Sequence, residues 1–395
     1  MRSQNLHHFF TTAIACTGLM FSVAYAADTI SPTHDDEVVE VLPTITRHRP
    51  AVLTAEVSVP LTPLAAAQAA REDIGVARQT GDTRYWGRAQ ATLGPWWDRP
   101  NAPVELAILQ STVQQGRHEF EPARKVLADA LKRDPGNAQG WLNMAALERL
   151  SGRYPEALQA CEAVRRAGQS LYATACELET RSLQGQHAQA RSGFKKLLSD
   201  FKEADQRSWI YSLLAESEER AGNDTAALAA YRSSLQLTPD LYTSIAYSDV
   251  LLRVGNTSQA LRVLQPLPQT DAVLLRQATG MRRLGDTGWQ ALRTELRERQ
   301  VALERRGDDT SLHSREQALV ALWLDDDPGQ AMALATRNLA LQREPLDWWI
   351  ALYSASQSRN TAQLVAWSQK VKASGLVDAR LPIAEKSNAT KVQGS

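Results

Sequence analysis

The chain has 395 residues, 43% of them hydrophobic, and sets 44 Lys+Arg against 44 Asp+Glu for a formal net charge of zero. With no lysine- or arginine-rich block, the balance argues against a nucleic-acid binder, which normally carries a basic excess or stripe. The length would suit two or three ordinary domains, unless the chain grows along one axis as a repeat array.

The N-terminus reads as an export signal. Arg2, His7 and His8 form a weak basic start, Phe9 to Val23 is largely apolar, and Ala24-Tyr25-Ala26 offers the small-x-small pattern of a signal-peptidase site. Cleavage after Ala26 is expected; the alternative is a lipidated Cys16, although apolar rather than polar residues follow that cysteine. The apolar run is short for a membrane span. The mature protein is therefore expected to be exported and periplasmic, with residues 1–26 as signal. Residues 27–61 carry prolines and mixed charge without a helical period, so they read as an extended or disordered lead.

From there the chain reads as helical. Pro63 to Gln79 is a helix that Gly81 stops, and Thr83 to Leu93 is its return partner. Trp96 and Trp97 are expected in the core of these first hairpins, and Gly116 and Phe120 introduce the next unit. A Gly-x4-Ala step then recurs at Gly152…Ala157, Gly185…Ala190, Gly222…Ala227 and Gly255…Ala260, with glycines 33, 37 and 33 residues apart. That spacing lies near the ~34-residue period of a helix–turn–helix repeat, which buries its apolar face only by stacking on neighbours. Each slot has a physical reason. Glycine supplies a left-handed residue at the end of the first helix. Small Ala145, Ala215, Ala157 and Ala227 let helix backbones approach closely. Beyond the clear units, a helix from Ala272 ends at Gly285-Asp286, and a longer one runs from Trp289 to Arg305. Ser311 to Leu324 and Gln330 to Leu341 pair across the acidic turn Asp325-Asp326-Asp327, and Pro345 and Trp348 to Lys372 end the array. The array spans 62–375, clearest over 103–270, and 376–395 reads as a disordered polar tail.

Export leaves two cysteines, Cys161 and Cys176, on the facing helices of adjacent repeats with the turn Ala167-Gly168-Gln169 between them. In an oxidising compartment they read as one disulfide, a staple between repeats; the alternative is two separately buried thiols.

The residues around the steps resemble the tetratricopeptide repeat. One unit reads Trp141-x2-Met144-Ala145, Gly152, Tyr154, Ala157, Cys161; another reads Tyr211-x2-Leu214-Ala215, Gly222, Ala227-x3-Tyr231, Pro239. Glu148 and Glu218 stand where the family usually has tyrosine in the first helix. More specific segments, 32–43, Gly81-Asp82-Thr83-Arg84-Tyr85, Ala91 to Trp97 and Gly116 to Phe120, look like a group of exported proteobacterial tetratricopeptide-repeat proteins. The resemblance covers most of 32–260. It implies an all-α, right-handed superhelical solenoid of about eight hairpins, and an envelope-located interaction protein with no assigned reaction.

The sequence holds no His-Glu-x-x-His, Gly-x-Ser-x-Gly, phosphate-loop or dinucleotide motif, and its histidines are scattered. His187, in a turn, is expected to pack. The acidic turn at Asp325 lacks the alternating ligands, central Gly and distal Glu of an EF-hand. No enzyme activity, cofactor or metal is therefore expected. In the resembled family the first helix of each pair lines the concave face. This places Tyr172, Trp209 and Tyr242 in an aromatic row, Glu179, Glu216 and Asp249 in an acidic row, and Arg220 and Arg253 beside them. Such a track suits a peptide segment or partner helix from another envelope protein. The expected function is a non-enzymatic scaffold or adaptor of the bacterial envelope, with a place at the periphery of a membrane complex open to it. The alternatives are a polysaccharide-export adaptor or an accessory to a cell-wall-active enzyme.

Overall fold

The computed structural model describes residues 61–384, apart from 306 and 308. The export signal, all but Leu61 of the lead and the tail from 385 lie outside the described residues. Among the described residues, 18 α-helices pair into nine hairpins, spanning 63–93, 104–133, 138–166, 170–200, 204–237, 241–264, 271–305, 314–341 and 345–374. Most first helices of neighbouring hairpins touch one another, whereas each second helix packs on its own partner and, except in hairpin 7, on the next hairpin's first helix. First helices thus form the inner layer of a solenoid and second helices the outer one. No described helix is long and apolar enough to cross a membrane.

Each hairpin turns through one left-handed residue: Gly81, His118, Gly152, Gly185, Gly222, Gly255, Gly285, Asp326 and Arg359. The ninth turn has no glycine, which is why sequence periodicity merges Trp348 to Lys372 into one element and expects about eight hairpins. The structure splits it into Pro345–Gln357 and Thr361–Ser374. At hairpin 2 the left-handed residue is His118, not Gly116. Gly116 lies inside the helix, where a Cβ would meet the Trp86 ring at 2.5 Å. His118 offsets the strain of its backbone, about 1–2 kcal/mol for a residue with a Cβ, through a bond from its Nδ1 to Leu312 O at 2.7 Å.

Ala145, Ala157, Ala215 and Ala227 are fully buried, as the close helix approach requires. Tyr154, Phe194 and Tyr231 fill the gaps beside them, each burial contributing roughly 1.5–3 kcal/mol. Trp96 and Trp97 pack partly buried against Leu93, Leu106 and Leu109. Cys161 and Cys176 form a disulfide with a Cα–Cα distance of 5.6 Å, joining hairpins 3 and 4.

Five turns are covered by later parts of the chain. Gly81 sits against Thr270 and Leu241, His118 against Leu312, Gly152 beside Arg343, Gly185 against Val377 and Gly222 against Ala379. The turn edge of hairpins 1–5 therefore seats on the loops joining hairpins 6–9 and on the segment that follows them. One winding of the superhelix rests on the next.

Candidate functional site

The repeated turn explains how this seating works. In hairpin 5, Asn223 N donates to Glu218 O at 2.8 Å and Gly222 N to Glu219 O at 2.9 Å, the two bonds of a Schellman motif. Hairpins 3, 4, 6 and 7 repeat the pair. The motif leaves one last-turn carbonyl unserved, two residues before the glycine. Arg343 N reaches Leu150 O at 2.7 Å, Val377 N reaches Leu183 O at 2.8 Å, and Ala379 N reaches Arg220 O at 2.9 Å. Three equivalent carbonyls thus accept from the returning chain. Residues 376–384, expected as part of a disordered tail, are packed instead: Leu376 and Leu381 are buried, and Ala384 N donates to Ser368 Oγ at 3.0 Å. The cause lies in those free acceptors, together with an anchor. Arg380 is held by Asp378 (2.6 Å) and reaches Glu219 Oε2 at 2.7 Å, the same carboxylate that accepts from Tyr231 Oη (2.6 Å) and Arg253 (2.9 Å). Glu219, which sequence reasoning does not single out, is thereby a fully satisfied buried acid.

The aromatic row comes together on the inner layer. Tyr172 and Trp209 are partly buried, with ring centroids 5.5 Å apart. Tyr242 is 65% exposed, yet its hydroxyl is fixed by a bond to Glu216 Oε1 at 2.8 Å. Burial pushes the Glu216 carboxyl up to about 7, opposed by Arg220 and reinforced by Glu179. That carboxylate in turn raises the Tyr242 phenol well above its ordinary range.

The charged rows behave differently from the expectation of a gripping surface. Glu179 is paired with Arg149 at 2.9 Å, and Asp249 takes both ends of the Arg276 guanidinium at 2.7 Å. Arg220 is 4% exposed and turned into the body, where Nε donates to Ser182 Oγ at 3.1 Å and Nη1 lies 3.5 Å from Glu216. Arg253 spans Glu219 and Asp224. Arg149, Arg253 and Arg276 are committed to acids one hairpin away, at the distance that stacking closes, whereas Arg220 faces Glu216 four residues earlier on its own helix. The partners Arg149 and Arg276 stand 30 residues before Glu179 and 27 after Asp249, near one repeat period, a spacing visible in the sequence.

Elsewhere, an open chamber of about 1480 Å³ lies between the first three hairpins and hairpins 7 and 8. Its charges are largely matched, as in Arg117–Glu119 and Arg299–Asp271, both 2.9 Å. The acidic turn is structural: Asp325 pairs with Arg293 and Arg297, Asp326 with Arg282, and Asp327 caps the next helix by accepting from Gln330 N at 2.9 Å. His187 carries a buried Nδ1 with no partner among the described residues, and burial lowers its basicity. No group of three or more His, Cys, Asp or Glu able to hold a metal occurs among the described residues.

Among solved structures, a thermophilic tetratricopeptide-repeat protein of Thermus thermophilus is 20% identical, covering 48% of this chain and all of that one, with a TM-score of 0.39. Human IFIT1, solved as a dimer with m7Gppp-AAAA, is 12% identical over 79% of this chain and 72% of that one, with a TM-score of 0.48. A tetratricopeptide-repeat protein of Parabacteroides merdae is 12% identical over 64% and 98%, with a TM-score of 0.38. Comparison with curated proteins finds no match. Residues 108–171 match the tetratricopeptide-repeat family. That match lies within a continuous stack of helix–turn–helix units, a fold of the tetratricopeptide-repeat type that suggests a scaffold for protein partners.

Proposed function

We propose that the chain is an exported, non-enzymatic scaffold of the bacterial envelope that holds an extended segment or helix of another envelope protein on its inner layer, over Tyr172, Trp209 and Tyr242. The observation that carries this reading is Tyr242: a large aromatic ring, mostly exposed, held in one orientation by its bond to Glu216. A fixed, exposed aromatic offers contact area at small entropic cost. Because Glu179, Asp249 and Arg253 are already paired, recognition rests on aromatic and apolar contact, and capture is expected to depend weakly on salt. The export signal supplies the compartment.

The test is a photo-crosslinking side chain at position 242 in the native cell, with the captured protein identified by mass spectrometry and its binding then measured against Tyr242→Ala and Trp209→Ala. Loss of binding with an unchanged helical circular-dichroism spectrum is the expected result. Undiminished binding by both variants rejects the inner layer as the site, and fractionation of the protein into the cytoplasm rejects the envelope.

A further inference from the structure

The ladder between turn carbonyls and the returning chain stops early. Val377 and Ala379 serve hairpins 4 and 5. The chain then bends, with Leu381 N donating to Asp378 O at 3.2 Å, and goes back to Ser368. Hairpins 6 and 7 close with the same Schellman pair, from Asn256 N to Leu251 O and from Asp286 N to Met281 O. Their equivalent carbonyls, Arg253 O and Arg283 O, accept no hydrogen bond from the described residues. A Cβ built on Gly255 or Gly285 would meet nothing within 4 Å, whereas one on Gly185 would touch Val377 at 3.0 Å and one on Gly222 would touch Ala379 at 3.2 Å.

The residue just before each turn glycine also changes character. Under cover it is Thr80, Ser151, Gln184 or Ala221; at the two open turns it is Val254 and Leu284, which are 39% and 54% exposed. The apolar residues stand where the acceptors are free.

We infer that the turn edge of hairpins 6 and 7 binds an extended segment of a partner protein, which continues the ladder from Ala379 in the same direction. Two residues of that segment spaced i and i+2 donate their backbone N–H groups to Arg253 O and Arg283 O, as Val377 and Ala379 do at the preceding hairpins. Side chains two apart in an extended chain share a face, so small or β-branched apolar residues at these positions lie over Gly255 and Gly285, against Val254 and Leu284. Continuity with the intramolecular interface defines the occupant: a strand-like peptide read mainly through its backbone, with apolar residues at alternate positions. This edge is separate from the inner layer around Tyr242.

The test uses the full chain and a fluorescein-labelled, acetylated peptide copying residues 375–381, the segment the molecule already binds in this way. Saturable binding by fluorescence anisotropy is expected, weakened about tenfold or more by Val254→Lys with Leu284→Lys. Both sites are exposed, so the helical spectrum and melting temperature stay those of the parent, and Tyr242→Ala leaves the peptide's affinity unchanged. Absence of binding overturns the inference. So does binding unaffected by the double lysine variant, which means exchange with the chain's own segment at Gly185 and Gly222. A parent that sediments as a dimer, becomes monomeric in the lysine variant and ignores the peptide assigns the edge to a second copy of the chain instead.

Discussion

Glu216→Gln isolates a single titration inside the solenoid. In the folded chain the Glu216 carboxyl is pushed up to about 7 by burial, against an ordinary 4.5 once unfolded. Between those values the folded state holds a proton that the unfolded state has released, so stability falls as pH rises from about 4.5 to 7. A gap of about 2.5 pH units, at ~1.4 kcal/mol each, is worth on the order of 3 kcal/mol. Water reaches 18% of the side chain, and this screening brings the figure nearer to about 2. The glutamine oxygen still accepts the Tyr242 hydroxyl. Its neutral amide no longer answers Arg220, but nothing is lost at low pH, where the parent carboxyl is itself neutral, and at higher pH that attraction is already contained in the parent's value of about 7. Urea unfolding of both proteins from pH 4.5 to 8 reads the difference, with every other titration cancelling between them. The variant is expected to gain about 2–3 kcal/mol on the parent across that range. Parallel stability curves would refute the burial argument.

Three further outcomes follow from packing and backbone geometry. Ala227→Leu places a larger side chain where the alanine is fully buried between helices, and a loss of about 1–3 kcal/mol in urea unfolding is expected from overpacking. Gly185→Ala and Gly255→Ala impose the same strain at φ +83, about 1–2 kcal/mol. Only the first presses on Val377, so it is expected to cost measurably more, and equal midpoints would sink the interlocked turns. Replacing Cys161 and Cys176 by alanine opens a link across 15 residues of sequence, with an expected loss of about 3 kcal/mol under oxidising conditions; a parent insensitive to reductant would contradict it.

The stack was legible in the sequence because its determinants repeat. Gly152, Gly185, Gly222 and Gly255 mark turns at a near-constant interval, and Ala157 and Ala227 mark the close approaches, so helix pairing follows from local residues alone. The winding of one superhelical turn on the next has no such signal. His118 meets Leu312 across 194 positions and Arg380 meets Glu219 across 161; neither pair shares a period. The turn at Arg359 carries no such mark either, because a residue with a Cβ takes the left-handed position there in place of glycine. The aromatic row could be placed residue by residue, because it depends only on position within a helix. What those positions leave free could not, since the commitments of Glu179, Asp249 and Arg220 are made by neighbouring hairpins.

The two kinds of determinant meet at one atom per repeat. A Schellman turn uses a left-handed residue to satisfy two last-turn carbonyls and leaves a third pointing outward. A single hairpin would offer that oxygen to water. Stacking sets the oxygens in a row along one edge, so a periodic sequence builds a linear array of acceptors as a consequence of how each helix stops. Leu150, Leu183 and Arg220 show the array occupied by the chain itself. The residue preceding the glycine then decides what covers the edge: polar or small where the next winding arrives, and Val254 and Leu284 where it does not. The two proposals together give an array wound in this way two candidate binding geometries, an inner layer that would read side chains and a turn edge that would read backbone. The last-turn carbonyls tie the second geometry to the stability of the solenoid.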